Sequence, residues 1–353
     1  LAAWASPLSA MIGGMDIAVI GSNMVDLIAY IDRMPAEGET VRTPDFQMGC
    51  GGKGANQAVA ASRLGAVVLM VTRVGNDLFA DNTIANFEAH GIDTTHVLRT
   101  EATSGVAPIF VDPQSRNSII IIHGANDHLS PADIDAAADD IARCRLIVLQ
   151  LEVPLETVYH AVEFGRTHGV PVLLNPAPAN AELDFARIAS VDWFVPNETE
   201  LALLTGLPVD SLDEVDAAAS ALLARGMTNV LVTLGARGVA WYSEAGRVLT
   251  DAETVDAVDT TGSGDAFIGC FAHSLVSGLA VEDALVRANA YAADSVTRRG
   301  TQTSYADAAS FGSPGTLTTV GGRSACISTS RTAFSDSARM KAECGKATAR
   351  SFR

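Results

Sequence analysis

An alternation constrains this chain more than any other feature. Runs that are apolar at nearly every position (16–20, 67–71, 146–151, 170–174, 191–195 and 230–233) are separated by helix-length segments. The helical segments include 55–64, 78–90, 131–142, 155–168 and 212–225, with two more at 265–277 and 281–298. A strand apolar on both faces must be covered on both, and a helix-length connection lets the next strand run parallel. The pattern predicts an α/β fold with a mostly parallel central sheet between helices. Four runs do not fit it. Residues 25–30 follow the first strand with no helix between, and 95–98, 106–111 and 118–122 follow one another directly. The turn-forming DPQSRN at 112–117 joins the last two as a hairpin. These pieces, about 24–48 and 95–123, are expected to form a small β-sheet lid beside the main sheet.

The formal charge of −17 repels nucleic acid and anionic membranes, so neither is an expected partner. Any anionic ligand must then be held by local dipoles or metal ions. The five cysteines form no CxxC pair and no zinc-spaced cluster, which suits free thiols in a reducing, cytoplasmic compartment. No apolar run reaches the roughly 18 residues of a membrane span. Residues 1–14 read as a disordered N-terminal extension and 15–305 as one catalytic domain. Residues 306–353 are rich in Ser, Thr, Gly and Ala and carry seven basic against three acidic residues; they read as an atypical, disordered tail.

Two glycine-rich segments each open a helix. In Asp259-Thr260-Thr261-Gly262-Ser263-Gly264-Asp265 the glycines let backbone approach a ligand, and the free N–H groups of a helix start attract an anion. Asp265 fits either a helix cap or a general base serving a hydroxyl nucleophile that attacks a phosphoryl group. The second segment, Gly49-Cys50-Gly51-Gly52-Lys53-Gly54-Ala55-Asn56-Gln57, matches GxGxxG only formally. Two strands precede it, and no acid stands at a strand end about 20 residues on, as a dinucleotide site requires. Lys53 and Asn56 there suit a polyhydroxylated small molecule. Asn197 and Glu200, three apart after a strand, suit either a water-mediated Mg²⁺ site or a helix cap. Thr233–Gly238 reads as a tight turn. Asp26 is an acid in an early strand, costly unless it binds something. Glu152 closes a strand at the end where open α/β sheets bind ligands.

Together these segments resemble the PfkB-type carbohydrate kinases in their ribokinase form. The likeness covers about 16–305 and keeps motif order: Gly51–Ala58, Gln150-Leu151-Glu152, Asn175-Pro176-Ala177-Pro178, Pro196–Glu200 and Asp256–Asp265. The resemblance implies a three-layer ribokinase-like sandwich, a lid that makes a homodimer contact, and transfer of the ATP γ-phosphoryl to O5 of D-ribose. It implies Asp265 as base, with an anion hole from Gly262, Ser263 and Gly264. Asp26, Gly52, Lys53, Gly54, Asn56, Glu152 and Asp265 would meet the sugar. Asn197, Thr233, Gly235, Gly238, Gly264 and Asn289 would line the nucleotide site, with Glu200 organising Mg²⁺ indirectly. A K⁺ ion would use Asp259, Thr261, Ser295, Arg298, Gly300 and Ser304. Met24 departs from the usual Asn and removes a polar sugar contact, which favours a 2-deoxyribose kinase as the rival reading. Cys50 replaces a usual aromatic and is expected to loosen the sugar pocket. An NAD-dependent oxidoreductase and a non-catalytic sugar-binding protein are the more distant alternatives.

Overall fold

The structure is a computed structural model that describes residues 14–112 and 117–312. The chain starts with β1 (Ile17–Ile20), β2 (Met24–Tyr30), β3 (Asp45–Gly51), α1 (Lys53–Arg63), β4 (Val68–Val74), α2 (Leu78–Ala89) and β5 (Asp93–Arg99). It continues through β6 (Val106–Val111), β7 (Asn117–Ile119), α3 (Pro131–Ala136), α4 (Ala138–Ile141), β8 (Leu146–Leu149), α5 (Leu155–His168), β9 (Val172–Leu174) and β10 (Trp193–Phe194). It closes with α6 (Glu198–Thr205), α7 (Leu212–Ala224), β11 (Asn229–Thr233), β12 (Val239–Ser243), β13 (Gly246–Thr250), α8 (Ser263–Val276), α9 (Val281–Ser295) and α10 (Ala308–Phe311).

Among the described residues nine strands form one sheet, ordered β13-β12-β11-β10-β9-β8-β1-β4-β5, parallel except for the β11–β12 and β12–β13 pairings. Successive side chains of a strand face opposite ways, and here each side has its own core. Ala18 and Ile20 of β1 pack with Ile134, Val158 and Ala218 from α3, α5 and α7. Ile17 and Val19 pack with Val59, Phe87, Phe271 and Leu285 from α1, α2, α8 and α9. The three-layer arrangement is therefore as the apolar runs predict.

The small sheet has the order β3-β2-β6-β7. It corrects the expected lid in one respect. Residues 93–99 are not part of it: β5 pairs in parallel with β4 as the edge of the large sheet. Helix α2 supplies the crossover before β5, so that strand obeys the same parallel rule as its neighbours. The β6–β7 hairpin is antiparallel as expected. Residues 49–51, read as a glycine loop, are the end of β3, so the loop proper shrinks to Gly52 at φ 88°. At the C-terminal side, residues 306–312 continue as part of the body: Phe311 of α10 packs edge-on against Tyr291. The extension at 1–13 and the tail from 313 lie outside the described residues. Among the described residues no helix is long and apolar enough to cross a membrane.

Candidate active site

Helix α8 begins at a left-handed residue. Gly262 has φ 74°, and a side chain there would overlap Thr301 and lie 2.8 Å from the Tyr305 hydroxyl. The Tyr305 hydroxyl donates to Gly262 O at 2.9 Å, which fixes the turn from outside. The N–H of Ala266 closes the first helical bond, onto Gly262 O, and Ser263 N–H makes a longer one (3.3 Å) to Thr260 O. Among the described residues the N–H groups of Gly262 and Gly264 have no acceptor, and open space faces Gly264. Free donors at the positive end of a fourteen-residue helix make an anion cradle.

Asp265 is the third residue of that helix and is buried. Asn56 Nδ2 donates to its Oδ2 (2.9 Å) and Gln57 Nε2 to its Oδ1 (3.0 Å). Helices α1 and α8 can meet this closely because Gly269 faces Ala60, where a Cβ would come within 2.5 Å. Both donors to Asp265 are neutral amides of α1, and among the described residues its side chain makes no cap bond to its own helix.

Three more charged groups converge here. Asp26 lies on β2 opposite Gly49 and against Gly51, whose missing side chain gives the carboxylate its room. Burial, then the charges of Glu152 and Asp265, push the Asp26 carboxyl up to about 7. Glu152 Oε2 accepts from Ser22 Oγ (2.6 Å) and from the backbone N–H of Lys53 (2.9 Å). Burial pulls the Lys53 ammonium down, but Asp265, Glu152 and Glu200 together hold it above its ordinary value. Lys53 is the counter-charge to a ring of carboxylates. Gly52 and Gly54 carry no side chain because Asn23 and Ser22 backbone lie within 2.8 Å of where one would stand.

A cavity of about 540 Å³ separates the small sheet from the loops 257–261 and 299–301. Asp26, Ile28, Ile109 and Ile119 line it from the sheet; Thr260, Thr261, Arg299 and Thr301 line it from the body. Of the expected sugar contacts Asp26 alone is on its wall. Met24 lies on the Asp26 face of β2, two residues back, buried with Ala107 and Ile109. It gives that face an apolar floor. The expectation for Cys50 is corrected: it points to the other face of β3, where Asn82 Nδ2 of α2 donates to its Sγ (3.2 Å). The two glycines flanking it, not Cys50, border the Asp26 side.

The residues expected to hold a nucleotide lie at the same sheet end. Asn197 and Glu200 form a complete capping box on α6. Glu200 accepts from Asn197 N–H (2.8 Å) and Nδ2 (2.9 Å). Burial raises the Glu200 carboxyl, against the pull of Asn197 N–H and Lys53. Thr233 bridges Asn197 in parallel, Gly235 and Gly238 take φ 55° and 92°, and Asn289 Nδ2 donates to Thr250 O (3.1 Å). Asn289 thus braces the loop after β13 rather than standing free.

Of the set expected around K⁺, Asp259, Thr261 and Gly300 are tied together. Asp259 accepts from Thr261 N–H and from Gly300 N–H, both at 3.0 Å, tying the loop before α8 to the loop after α9. Ser295 Oγ donates to Ala292 O, and Ser304 O accepts the Arg298 guanidinium at 2.7 and 2.9 Å. A carbonyl already facing a guanidinium is a poor cation ligand, so Ser304 fits that set least. The sequence reading missed Ser22, Gln57, Gln150, Asn175 and Gln302 as site residues. Gln57, Gln150 and Asn175 stand inside the quoted motifs and were there to be found; Gln302, 246 positions from its partner Asn56, has no local signal.

Residues 15–308 match the pfkB family carbohydrate kinase. A deoxyribokinase of Salmonella typhi is 60% identical over 292 residues, spanning 82% of this chain and 95% of that protein. A ribokinase of Mus musculus is 42% identical over 296 residues, spanning 82% and 91%. The ribokinase of Arabidopsis thaliana, solved with ribose and ATP, superposes with a TM-score of 0.79 at 30% identity, over 85% of this chain and 98% of that one.

Proposed function

The chain belongs to the pfkB family of carbohydrate kinases and is an ATP-dependent sugar kinase; on that premise we propose that it phosphorylates the C5 hydroxyl of a pentose, 2-deoxy-D-ribose in preference to D-ribose. The observation that carries the chemistry is Asp265, a buried carboxylate oriented by two amides at the first turn of a helix where the N–H groups of Gly262 and Gly264 are free. Asp265 takes the hydroxyl proton. The sugar oxygen bonds to the γ-phosphorus as the bond to the ADP oxygen breaks, and the free N–H groups of Gly262 and Gly264 hold the charge on the transferred group, joined by Ser263 N–H if it gives up its long bond to Thr260 O. Asp26 and Glu152 accept from sugar hydroxyls, while Lys53 and Asn56 donate. Mg²⁺ bound with ATP would supply charge neutralisation at its phosphates, and Glu200, with both oxygens already bonded to Asn197, would meet it only through water. Asp259, Thr261, Ser295 and Gly300 would hold a K⁺ ion beside the anion hole, and Asn197, Thr233, Gly235, Gly238 and Asn289 would border the nucleotide.

The choice of sugar rests on Met24 and on the 60% identical deoxyribokinase. A thioether floor offers no partner to a 2-hydroxyl, so burying one there costs about 1–3 kcal/mol. D-ribose, the expectation from sequence, is the second reading, supported by relatives near 40% identity. Purified protein is offered the two sugars in competition, with ATP, Mg²⁺ and K⁺, and product is read by mass. A kcat/KM for ribose above that for 2-deoxyribose reverses the order.

We also read the outer face of the small sheet as a homodimer contact. Phe46, Met48 and Ile120 are 56%, 52% and 55% exposed there, opposite the cavity side, and an apolar sheet face of this kind is usually covered.

A further inference from the structure

We propose that Gln302 is a positioning residue for catalysis: it fixes which way the Asn56 amide points and so presents an N–H donor to Asp265. The proposal rests on the reading of Asp265 as base. An amide can turn over, exchanging donor for acceptor, unless its neighbours forbid it. Here a chain of neighbours does. Asn86 Nδ2 on α2 donates to Gln302 Oε1 (2.8 Å), which leaves Gln302 Nε2 to donate to Asn56 Oδ1 (3.0 Å). Asn56 Nδ2 is then the atom that faces Asp265 Oδ2. The second oxygen is served by a separate branch. Gln150 Nε2 donates to Gln57 Oε1 (2.6 Å), turning Gln57 Nε2 toward Asp265 Oδ1 and Asn175 Oδ1. Asn175 is itself locked by donating to Val195 O (2.9 Å), a backbone carbonyl that cannot turn over.

The two branches differ in what anchors them. The Gln57 branch ends on backbone at the residue after β10. The Asn56 branch ends on one side chain of α2, reached through Gln302 from the loop after α9. Asn56, Gln57, Gln150, Asn175 and Gln302 are all buried, where a reversed amide has no water to compensate it. A reversed Asn56 would set its Oδ1 against the Asp265 carboxylate. The charged and titratable groups whose fields meet Asp265 are Asp26 on β2, Lys53 on α1, Glu200 on α6 and Tyr305 after the loop, with Glu152 beside Lys53 and Asp26. None of the donors to its oxygens is charged, so the orientation of the two amides decides whether each oxygen meets an N–H or another oxygen.

Gln302→Glu tests this with almost no change of shape. Once ionised, the new carboxylate can only accept, so Asn56 must turn its Nδ2 toward position 302 and its Oδ1 toward Asp265. The expected result is a kcat at pH 7 lowered at least about tenfold, and an acid limb of the kcat/KM profile moved about one pH unit upward, with KM for ATP within about twofold. Gln302→Asn, an amide one methylene shorter, should recover part of the loss. Parent-like kcat and pH profile in Gln302→Glu would overturn the proposal. Asp265→Asn in the same assay separates it from its premise: a variant that keeps parent kcat removes Asp265 as base, whereas an inactive one beside an unaffected Gln302→Glu removes only the relay. If Gln302→Glu does not fold, Asn86→Ala frees Gln302 from the far end. It should move the acid limb the same way by a smaller amount, and an unmoved limb counts against the proposal.

Discussion

Asp26→Asn should make the protein more stable and a worse enzyme, and the stabilisation should depend on pH in a way the structure fixes. Burial, with Glu152 and Asp265 adding repulsion, raises the carboxyl from 3.8 to about 7 in the fold. At ~1.36 kcal/mol per pKa unit, that difference is about 4 kcal/mol. Between those two values the folded state holds more proton than the unfolded chain, so stability falls as pH rises through the window. The cost is nearly absent below about pH 4 and complete above about pH 7. Asn has the same shape and no charge to bury, so the variant's advantage in urea unfolding should grow by about 2–3 kcal/mol from pH 5 to pH 8. Sugar hydroxyls that donate to the ionised carboxylate would offset the same cost. Added sugar should therefore stabilise the parent more at pH 8 than at pH 5, and the variant little at either. A stability difference that does not change across this range would refute the argument that Asp26 is held in an environment hostile to its charge.

Three further outcomes are expected. Gly262→Ala forces an L-residue into the left-handed region at about 1–2 kcal/mol and pushes Thr301 aside, so melting should drop by several degrees and kcat by about 10²–10³-fold as the anion donors shift; an unchanged kcat would show that these donors do not serve the transition state. Met24→Asn should raise kcat/KM for ribose relative to 2-deoxyribose by up to about tenfold, the worth of one hydrogen bond, and competition assays that leave the ratio alone would free Met24 of any part in sugar choice. Phe46→Asp, on the outer lid face, should convert a dimer to a monomer in sedimentation velocity; a parent that already sediments as a monomer would dismiss the contact.

The large sheet was legible because its signal is local. A strand such as Ile17–Ile20 is apolar at every position in sequence and buried at every position in the structure. The lid was less so, because strand runs without intervening helices look alike wherever they pair. Thr95–Leu98 reads like a lid strand, yet it follows α2 and so joins β4. Both glycine segments were legible as helix starts, since φ above zero at Gly52 and Gly262 is a backbone demand that few other residues meet. The amides behind Asp265 were not. Asn56, Gln302 and Asn86 come from three elements spread across the chain, and a buried amide looks in sequence like any surface one. Cys50 shows the opposite error: neighbours in sequence were taken as neighbours in space, although alternate residues of a strand face opposite ways.

Helix α8 has a feature whose effect reaches beyond the chemistry. From Asp265 to Val276 every residue is buried, with its Phe267 and Phe271 rings stacked on each other and the Trp193 ring edge-on against Phe271. A helix with no solvent-facing side has no partial way to open, so its amides should exchange with solvent only when the whole domain unfolds. The lid is the contrary case, tied down by a three-residue cluster of its own, and its amides should exchange through small local openings. The two halves of the pocket should therefore behave as different cooperative units. Heating should loosen the wall that meets the sugar well before it disturbs the end of the helix that meets the phosphate.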